Sequence, residues 1–93
     1  MAKNLFVSYD LRSPGQNYQR IAEAIKSLGA WAKVQDSLWY VSSQSNAETA
    51  AKHIRSAMDA NDSLIVVNVT DNDAYWFNLS SEVAAHVKNH WKL

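Results

Sequence analysis

The chain contains no cysteine, one proline and two glycines among its 93 residues. Without cysteine it can form no disulfide and no thiolate metal site. So few proline and glycine residues leave little room for flexible linkers or low-complexity segments. The length suits one domain with one hydrophobic core, and 47% of the residues are hydrophobic. We therefore expect residues 1–93 to fold as a single domain.

Net charge is also absent, because nine basic residues balance nine acidic ones. Proteins that bind nucleic acid non-specifically usually carry an excess of Lys and Arg, so this balance counts mildly against such binding unless it uses a local patch. No apolar run reaches the length of a membrane span, and the first ten residues lack the apolar stretch of a signal peptide. These absences predict a cytoplasmic protein that makes no membrane contact.

The first half of the chain has the periodicity of a strand, a helix and a hairpin. Apolar and polar residues alternate over residues 4–10, which predicts a strand ending at Asp10. A stripe of apolar residues at helical spacing runs from Tyr18 to Leu28. Two short strands are predicted next, over about 30–35 and about 38–43.

The second half predicts a helix, a buried strand and a last helix. Ser45 and Glu48 have the spacing of a capping box, so the second helix is predicted to begin there and to stop near Asn61. The run SLIVVNV is the strongest strand signal in the chain and should lie centrally in the sheet. Apolar residues that step by fours predict a third helix from about 80 to 91.

This order of elements predicts an α+β protein with a ferredoxin-like βαββαβ sheet and an additional C-terminal helix. Two right-handed β-α-β crossovers would interleave into four antiparallel strands, with two helices on one face. If Ile65, Val67 and Val69 face those helices, Leu64 and Val66 lie on the uncovered face. Exposed apolar sheet surface of that kind is typical of a dimer interface.

Three stretches resemble Cas2-like proteins, the small subunits of CRISPR adaptation, whose relatives include VapD-like ribonucleases. A Tyr-Asp pair closes the first strand, a G-x-x-x-x-V-Q-x-S-hydrophobic-aromatic run spans the hairpin, and an Asp-Ser-hydrophobic triplet opens the strongest strand. In this sequence they are Tyr9-Asp10, Gly29 to Trp39 and Asp62 to Leu64. The pattern YDL…PGQNY…AIKSLG.W…DS.W resembles more closely still a group of small bacterial proteins labelled SinR-like.

The resemblance implies a homodimer in which the first-strand Asp of each subunit meets its twin across a two-fold axis. In nuclease members that pair holds a divalent cation, which polarises the phosphodiester and generates hydroxide. For this chain the resemblance implies that Asp10 is both the Mg²⁺ or Mn²⁺ ligand and the catalytic residue of an endonuclease acting on DNA or RNA. The predicted dimer interface combines Tyr9 beside Asp10, Trp31 on the hairpin, and Leu64 and Val66 on the uncovered face.

The chain also departs from the family pattern. Several Arg residues usually follow the Tyr-Asp pair, whereas this chain offers Arg12 and then Arg20. Family members often continue after the fourth strand into another strand that joins the partner's sheet, and here DNDAYWFN and a helix follow. These differences favour a second hypothesis, a non-catalytic dimeric module with a protein partner, in which Asp10 is purely structural.

The candidate site residues each have a structural alternative. Asp10 can bind metal or can cap the turn at Ser13–Asn17 by ordinary Asx-turn chemistry. Arg12, Gln16, Asn17 and Arg20 can form a phosphate-contacting rim beside a helix N-terminus or can simply be solvated loop residues.

The tryptophans and the last helix carry weaker signals. Trp39 shares a face with Val41 and is predicted to lie in the core. Trp31 is assigned to the opposite face, where it would contact a dimer partner or a ligand. Trp76 is predicted to pin an irregular stretch.

Glu82, His86 and His90 step by four, a spacing that paired zinc ligands use, but a solvated helix edge is the better interpretation. Asp71 and Asp73 lack the further ligands and the glycine of a calcium loop.

Overall fold

The computed structural model describes residues 2–12 and 18–91. Along these ranges the elements follow the order β-α-β-β-α-β-β-α. Their bounds are β1 Lys3–Asp10, α1 Tyr18–Lys26, β2 Gly29–Gln35, β3 Leu38–Ser43, α2 Ala47–Arg55, β4 Ser63–Asn68, β5 Asp73–Phe77 and α3 Ser81–His90. None of the helices in these ranges is both long enough and apolar enough to cross a membrane.

The strands form one antiparallel sheet in the order β2-β3-β1-β4-β5. The predicted α+β class is confirmed. The predicted positions of the first four strands also agree with the structure to within about two residues at each end, which is the usual uncertainty of element boundaries. The prediction of four strands was wrong, because a fifth strand extends the sheet beyond β4.

The hydrophobic core lies on the face of the sheet that α1 and α2 cover. Strand β1 contributes Leu5 and Val7, which are fully buried, and α1 contributes Ile21 and Ile25. Helix α2 presents small residues and one large one to the sheet, so that its axis can approach the strands closely. Its buried residues are Ala47, Ala50, Ala51 and Ile54.

The predicted orientation of β4 was wrong. Leu64 and Val66 belong to the core, with 1% and 0% of their surface exposed. Val66 is the cross-strand partner of the buried Val7, so both side chains point to the helices. Leu64 and Val66 therefore do not lie on the uncovered face, where they were expected to form a dimer interface.

The uncovered face instead carries the other half of each strand's side chains. Cross-strand pairing aligns Phe6 with Tyr40 on one side and with Val67 on the other, and the rings of Phe6 and Tyr40 lie 5.6 Å apart. We call this surface the open face and define it by the half-buried side chains of Phe6, Leu38, Tyr40, Ile65 and Val67. It is mainly apolar.

Strand β5 arises from the stretch that was predicted to be irregular. A tight turn after β4 includes Asn72 at φ 55°, a left-handed conformation that Asn adopts more readily than most residues. The Asn68 amide stabilises this turn, because its Oδ1 accepts from the backbone N–H of Asp71 at 3.1 Å and its Nδ2 donates to the Asp71 carboxylate at 2.9 Å. Trp76 consequently lies on a strand and not in a loop.

Helix α2 begins one residue later than the capping box predicted. Asn46 is its N-cap, and the Asn46 Oδ1 atom accepts from the backbone N–H of Thr49 at 2.8 Å. Glu48 does not reach back to Ser45, because its carboxylate pairs with Lys52 at 2.6 Å. Asn and Ser are nearly equal as N-caps, so the two adjacent candidates could not be distinguished by residue type.

Helix α3 begins after Ser80, whose hydroxyl accepts from the backbone N–H of Val83 at 3.2 Å. None of its residues is buried, and Val83 is 50% exposed. Val87 and Trp91 line a cavity together with Ala74 and Trp76 of β5. The helix therefore lies at the β5 side of the sheet and leaves the centre of the open face uncovered.

Gly29 is required by the close approach of β2 to β3. A Cβ atom at this position would lie 1.9 Å from the carbonyl oxygen of Ser42, which is backbone and cannot rotate away. We predict that Gly29→Ala lowers the free energy of unfolding by about 1–3 kcal/mol, the usual cost of overpacking. Urea denaturation measures it, with Ala30→Ser on the same exposed strand as the control. Equal stability of the two variants would contradict the predicted clash.

A second prediction concerns Asp71, which ties the β4–β5 turn to the start of β1. Its carboxylate accepts a hydrogen bond from the Lys3 ammonium at 2.9 Å, and this bond, followed by the one from Asn68, holds the pKa of Asp71 below its usual value of 3.8. A carboxylate whose pKa is lowered in the folded protein stabilises the fold at pH values above its unfolded-state pKa. This stabilisation is lost as the pH falls through the pKa of the folded state. We therefore expect a small acid-dependent loss of stability that begins near pH 4.

Asp71→Asn and Lys3→Gln should both reduce the loss of stability at acidic pH. Urea midpoints at about pH 6 and about pH 3 test it, and the difference between the two midpoints should be smaller in each variant than in the parent. An unchanged difference in Asp71→Asn would mean that other carboxylates cause the acid sensitivity.

Candidate functional site

Asp10 is the last residue of β1, the central strand of the sheet. It pairs with Ser63 of β4 and, by strand alternation, shares the open face with Phe6 and Ser8. Its side chain is exposed, and it makes no hydrogen bond or ion pair with any residue in the ranges 2–12 and 18–91. The carboxylate is thus available to a ligand on the side of the sheet that the helices leave open.

Two small cavities border Asp10. One, of about 110 Å³, lies between Ser8, Ile65 and Leu79 on the side of β4. The other, of about 210 Å³, is lined by Tyr18 and Asp36 on the side of α1 and the hairpin turn. Solvent and a hydrated cation can therefore approach the carboxylate from either side.

Tyr9 points to the opposite face and holds the hairpin against β1. Its hydroxyl donates to the carbonyl oxygen of Asp36 at 3.3 Å and accepts from the indole N–H of Trp39 at 3.4 Å. Trp39 is 3% exposed, which confirms its predicted place in the core. The Tyr9 hydroxyl therefore has a structural role within the subunit, whereas its predicted role in a dimer interface stays a prediction.

Trp31 is not on the face to which it was assigned. It pairs with Val41 across the hairpin, so it points to the same side as Trp39, and the two indole rings lie 5.5 Å apart. The Lys26 ammonium lies 4.5 Å from the centre of the Trp31 ring. Because β2 is an edge strand, Trp31 remains 46% exposed beside α1 and away from the open face.

The predicted basic rim is only partly placed by the structure. The guanidinium of Arg12 donates to the Ser63 hydroxyl at 3.0 Å, so this cation is anchored beside the start of β4. Arg20 is exposed on the first turn of α1. Gln16 and Asn17 lie outside the described residues, as does the Ser13–Asn17 turn that Asp10 was predicted to cap.

Asp62 was named only within the Asp-Ser-hydrophobic triplet, and its structural role was not predicted. It is 1% exposed, and its carboxylate accepts from the backbone N–H of Arg12 and from that of Asp59, each at 2.9 Å. The Nδ2 atom of Asn78 adds a bond to the Asp62 carbonyl oxygen at 2.8 Å. Asp62 thereby fastens the end of β1 to the loop before β4 and to the end of β5.

Nothing in the sequence distinguished the roles of Asp10 and Asp62. Both acids adjoin an apolar strand, and both have residue types around them that are common in turns. The distinction depends on which acid the antiparallel register brings close to unpaired backbone N–H groups. The register requires pairing between segments about fifty residues apart, which local patterns do not specify.

No group of three or more His, Asp or Glu side chains in the described ranges is arranged to hold a metal ion. On α3 the rings of His86 and His90 stack at 4.2 Å, and the Nδ1–H of His90 donates to the carbonyl oxygen of His86 at 2.8 Å. That bond uses one ring nitrogen of His90 within the helix. Among residues 2–12 and 18–91, Asp10 therefore belongs to no group of three such side chains.

Comparisons with protein-family models, with curated proteins and with solved structures gave no match for this chain. The resemblance to Cas2-like, VapD-like and SinR-like proteins therefore stays a prediction from the quoted motifs.

The different surroundings of the two acids lead to a direct comparison. We expect Asp62→Asn to lower the free energy of unfolding by about 1–3 kcal/mol, because one of two backbone N–H groups loses its acceptor. Asp10→Asn should change it by less than about 0.5 kcal/mol, as for most exposed sites. Urea denaturation of both variants measures this. A strongly destabilised Asp10→Asn protein would assign Asp10 a structural role and exclude it as a free ligand.

Proposed function

We propose that the chain is a Cas2-like, nucleic-acid-associated homodimer and that paired Asp10 carboxylates hold a Mg²⁺ or Mn²⁺ ion for phosphodiester cleavage. The single observation that carries this proposal is the exposed Asp10 carboxylate at the end of the central strand, on the apolar face of the sheet, with no partner among residues 2–12 and 18–91.

The order of the strands supports the proposed fold family. Within the sheet, β2, β3, β1 and β4 are neighbours in that order and all antiparallel. Two interleaved β-α-β units produce this order, which is the arrangement of a ferredoxin-like fold. In this proposal β5 and α3 are additions to that unit.

The open face supports the proposed dimer. Its side chains are half-buried and mainly apolar, and a second copy packed on it would remove that surface from water. Because Asp10 is on the same face, a two-fold axis near the end of β1 would bring the two carboxylates together. In this dimer Phe6, Tyr40 and Val67 form the interface that was predicted from the sequence for Leu64 and Val66.

Paired carboxylates have suitable chemistry for metal-assisted hydrolysis. One carboxylate binds Mg²⁺ weakly, whereas two supply charge and still leave coordination positions for water and a phosphate oxygen. The two Asp10 carboxylates would hold such an ion, which when bound would supply Lewis-acid polarisation of a phosphodiester and would favour deprotonation of a coordinated water. The Asp10 side chain would supply oxygen ligands to that ion.

The decisive experiment is a cleavage assay on labelled RNA and DNA with Mg²⁺ or Mn²⁺. We expect metal-dependent cleavage that Asp10→Asn lowers by more than roughly 100-fold, because a direct metal ligand is lost. Asp36→Asn is the matched control, because Asp36 is an exposed carboxylate that lines the same cavity. Light scattering of the same samples should give the mass of a dimer.

Four results would overturn the nuclease proposal: a strict monomer, no metal-dependent cleavage, cleavage that Asp10→Asn leaves intact, or an equal loss in Asp36→Asn. The comparison must use Asp10→Asn protein that remains folded and dimeric, which circular dichroism and light scattering establish.

A second function is favoured by the charges of the site. The Arg12 guanidinium is bonded within the subunit, and the chain as a whole has no net positive charge. A dimeric module that binds a protein partner needs neither a cation nor a phosphate-binding rim. This second hypothesis predicts a dimer that does not cleave nucleic acid and that shows no salt-sensitive binding of nucleic acid.

A further inference from the structure

Strand β2 forms one edge of the sheet and has a strand neighbour on one side only, which is β3. All seven residues of β2 are exposed, so nothing else in residues 2–12 and 18–91 covers its outer edge. Alternate residues of an antiparallel strand direct their N–H and C=O groups to opposite sides. About half of the backbone groups of β2 therefore point outward without a strand partner.

The pairing of β2 with β3 shows which side chains flank that edge. Trp31 and Lys33 pair with two core residues of β3, so both lie on the helix-covered side of the sheet. Ala30 and Ala32 alternate with them and lie on the side of the open face. A strand added beside β2 would therefore meet an indole and a cation on one side and two small methyl groups on the other.

Two lysine side chains stand on the helix-covered side of this edge. The Lys26 ammonium, at the end of α1, lies 4.5 Å from the centre of the Trp31 ring, and Lys33 belongs to β2 itself. Both lysines are exposed, and neither forms an ion pair with an acid in residues 2–12 and 18–91. Glu23, which precedes Lys26 by one turn of α1, accepts from the amide of Gln19 instead. The edge thus carries two positive charges that these parts of the chain do not pair.

These charges decide which kind of strand can pair with β2. A second copy of β2 would bring its own lysines to the same edge, and like charges on neighbouring strands are destabilising. Charged side chains commonly protect an edge strand from self-association in this way. A shift of register between Lys33 and Gln35 also ends the regular part of the strand, so the edge offers pairing over residues 29–33. An acidic segment meets attraction where a second copy meets repulsion.

We propose that β2 is a docking edge for an extended protein segment in which acidic residues alternate with β-branched apolar residues. The acidic side chains would lie beside Lys26 and Lys33, and the apolar ones would cover the methyl groups of Ala30 and Ala32. In recognition by strand addition, main-chain hydrogen bonds supply affinity and alternate side chains supply specificity. The proposal goes beyond nucleic-acid cleavage and depends on neither Asp10 nor a bound metal.

The affinity for a short peptide should be low. Pairing over residues 29–33 buries little surface, and ion pairs between exposed groups contribute little in water. For a hexapeptide we expect a dissociation constant on the order of 1 mM, which should rise as salt screens the charges.

The test is an NMR titration with an N-acetylated, C-amidated hexapeptide of alternating Glu and Val, followed by hydrogen exchange in the same sample. We expect saturable shifts of the β2 backbone amides and of the Trp31 indole N–H, and slower exchange of the outward β2 amides. Slower exchange is the decisive measurement, because a peptide that is only attracted to the lysines leaves those amides open to water. The same peptide with Lys in place of Glu should bind at least about ten-fold more weakly.

Two N-methylated forms of the Glu-Val peptide test the backbone contact. In a strand that pairs on one side only, the N–H groups of alternate residues face the partner and the others face water. Methylation of all Glu amides in one peptide and of all Val amides in the other should therefore have unequal effects. One form should no longer slow the exchange of the β2 amides, and the other should bind within about two-fold of the parent peptide.

Charge variants assign the side-chain contacts. Lys26→Gln and Lys33→Gln should each weaken the Glu-Val peptide about two- to five-fold, as expected for exposed ion pairs. Lys88→Gln is the matched control and should leave binding unchanged, because Lys88 is an exposed cation on α3, at the β5 side of the sheet. All three positions are exposed, so the variants are expected to stay folded, and the dispersion of their spectra shows whether they do.

Four outcomes of the titration would overturn the proposal: no saturation up to about 10 mM, shifts without slower exchange, equal binding of the Glu and Lys peptides, or equal effects of the two methylated forms. A fifth concerns the protein alone. Slow exchange of the outward β2 amides that increases with protein concentration would mean that a second copy occupies the edge, contrary to the proposal. None of these results depends on the outcome of the cleavage assay.

Discussion

Strand β1 is hydrogen-bonded along both of its edges, to β3 on one side and to β4 on the other. A strand in that position has two faces that cannot be exchanged without moving every neighbour. Leu5 and Val7 set the buried face, and their cross-strand partners in β3 and β4 must then point the same way. The core, the open face and the exposed position of Asp10 all follow from this one alternation.

The same constraint explains how much could be predicted from the sequence. Alternation in residues 4–10 and the helical spacing after Tyr18 are local patterns, and the structure has a strand and a helix there. In SLIVVNV, by contrast, both sets of alternating residues are apolar, so the pattern identified a strand but could not choose its buried face. The choice is made by pairing with β1, a contact between distant parts of the chain.

Strand β5 and the structural role of Asp62 were not predicted, for related reasons. The run DNDAYWF begins with residues that favour turns, and its strand conformation depends on an edge of β4 that is available for pairing. Asp62 is surrounded by turn-forming residues, so its carboxylate could equally have been solvated. It is buried because backbone N–H groups of Arg12 and Asp59 converge on it once the sheet has formed. Both features are products of tertiary structure.

The position of β5 also determines how two subunits could join. The flank of β4 that does not face β1 is already filled by the chain's own β5, which reaches it through a tight turn. Strand donation from a neighbouring molecule at that flank would first require β5 to detach, with the loss of its whole ladder of backbone hydrogen bonds. Self-complementation in cis thus disfavours a swapped assembly at that flank, whereas stacking on the open face would require no remodelling of the sheet.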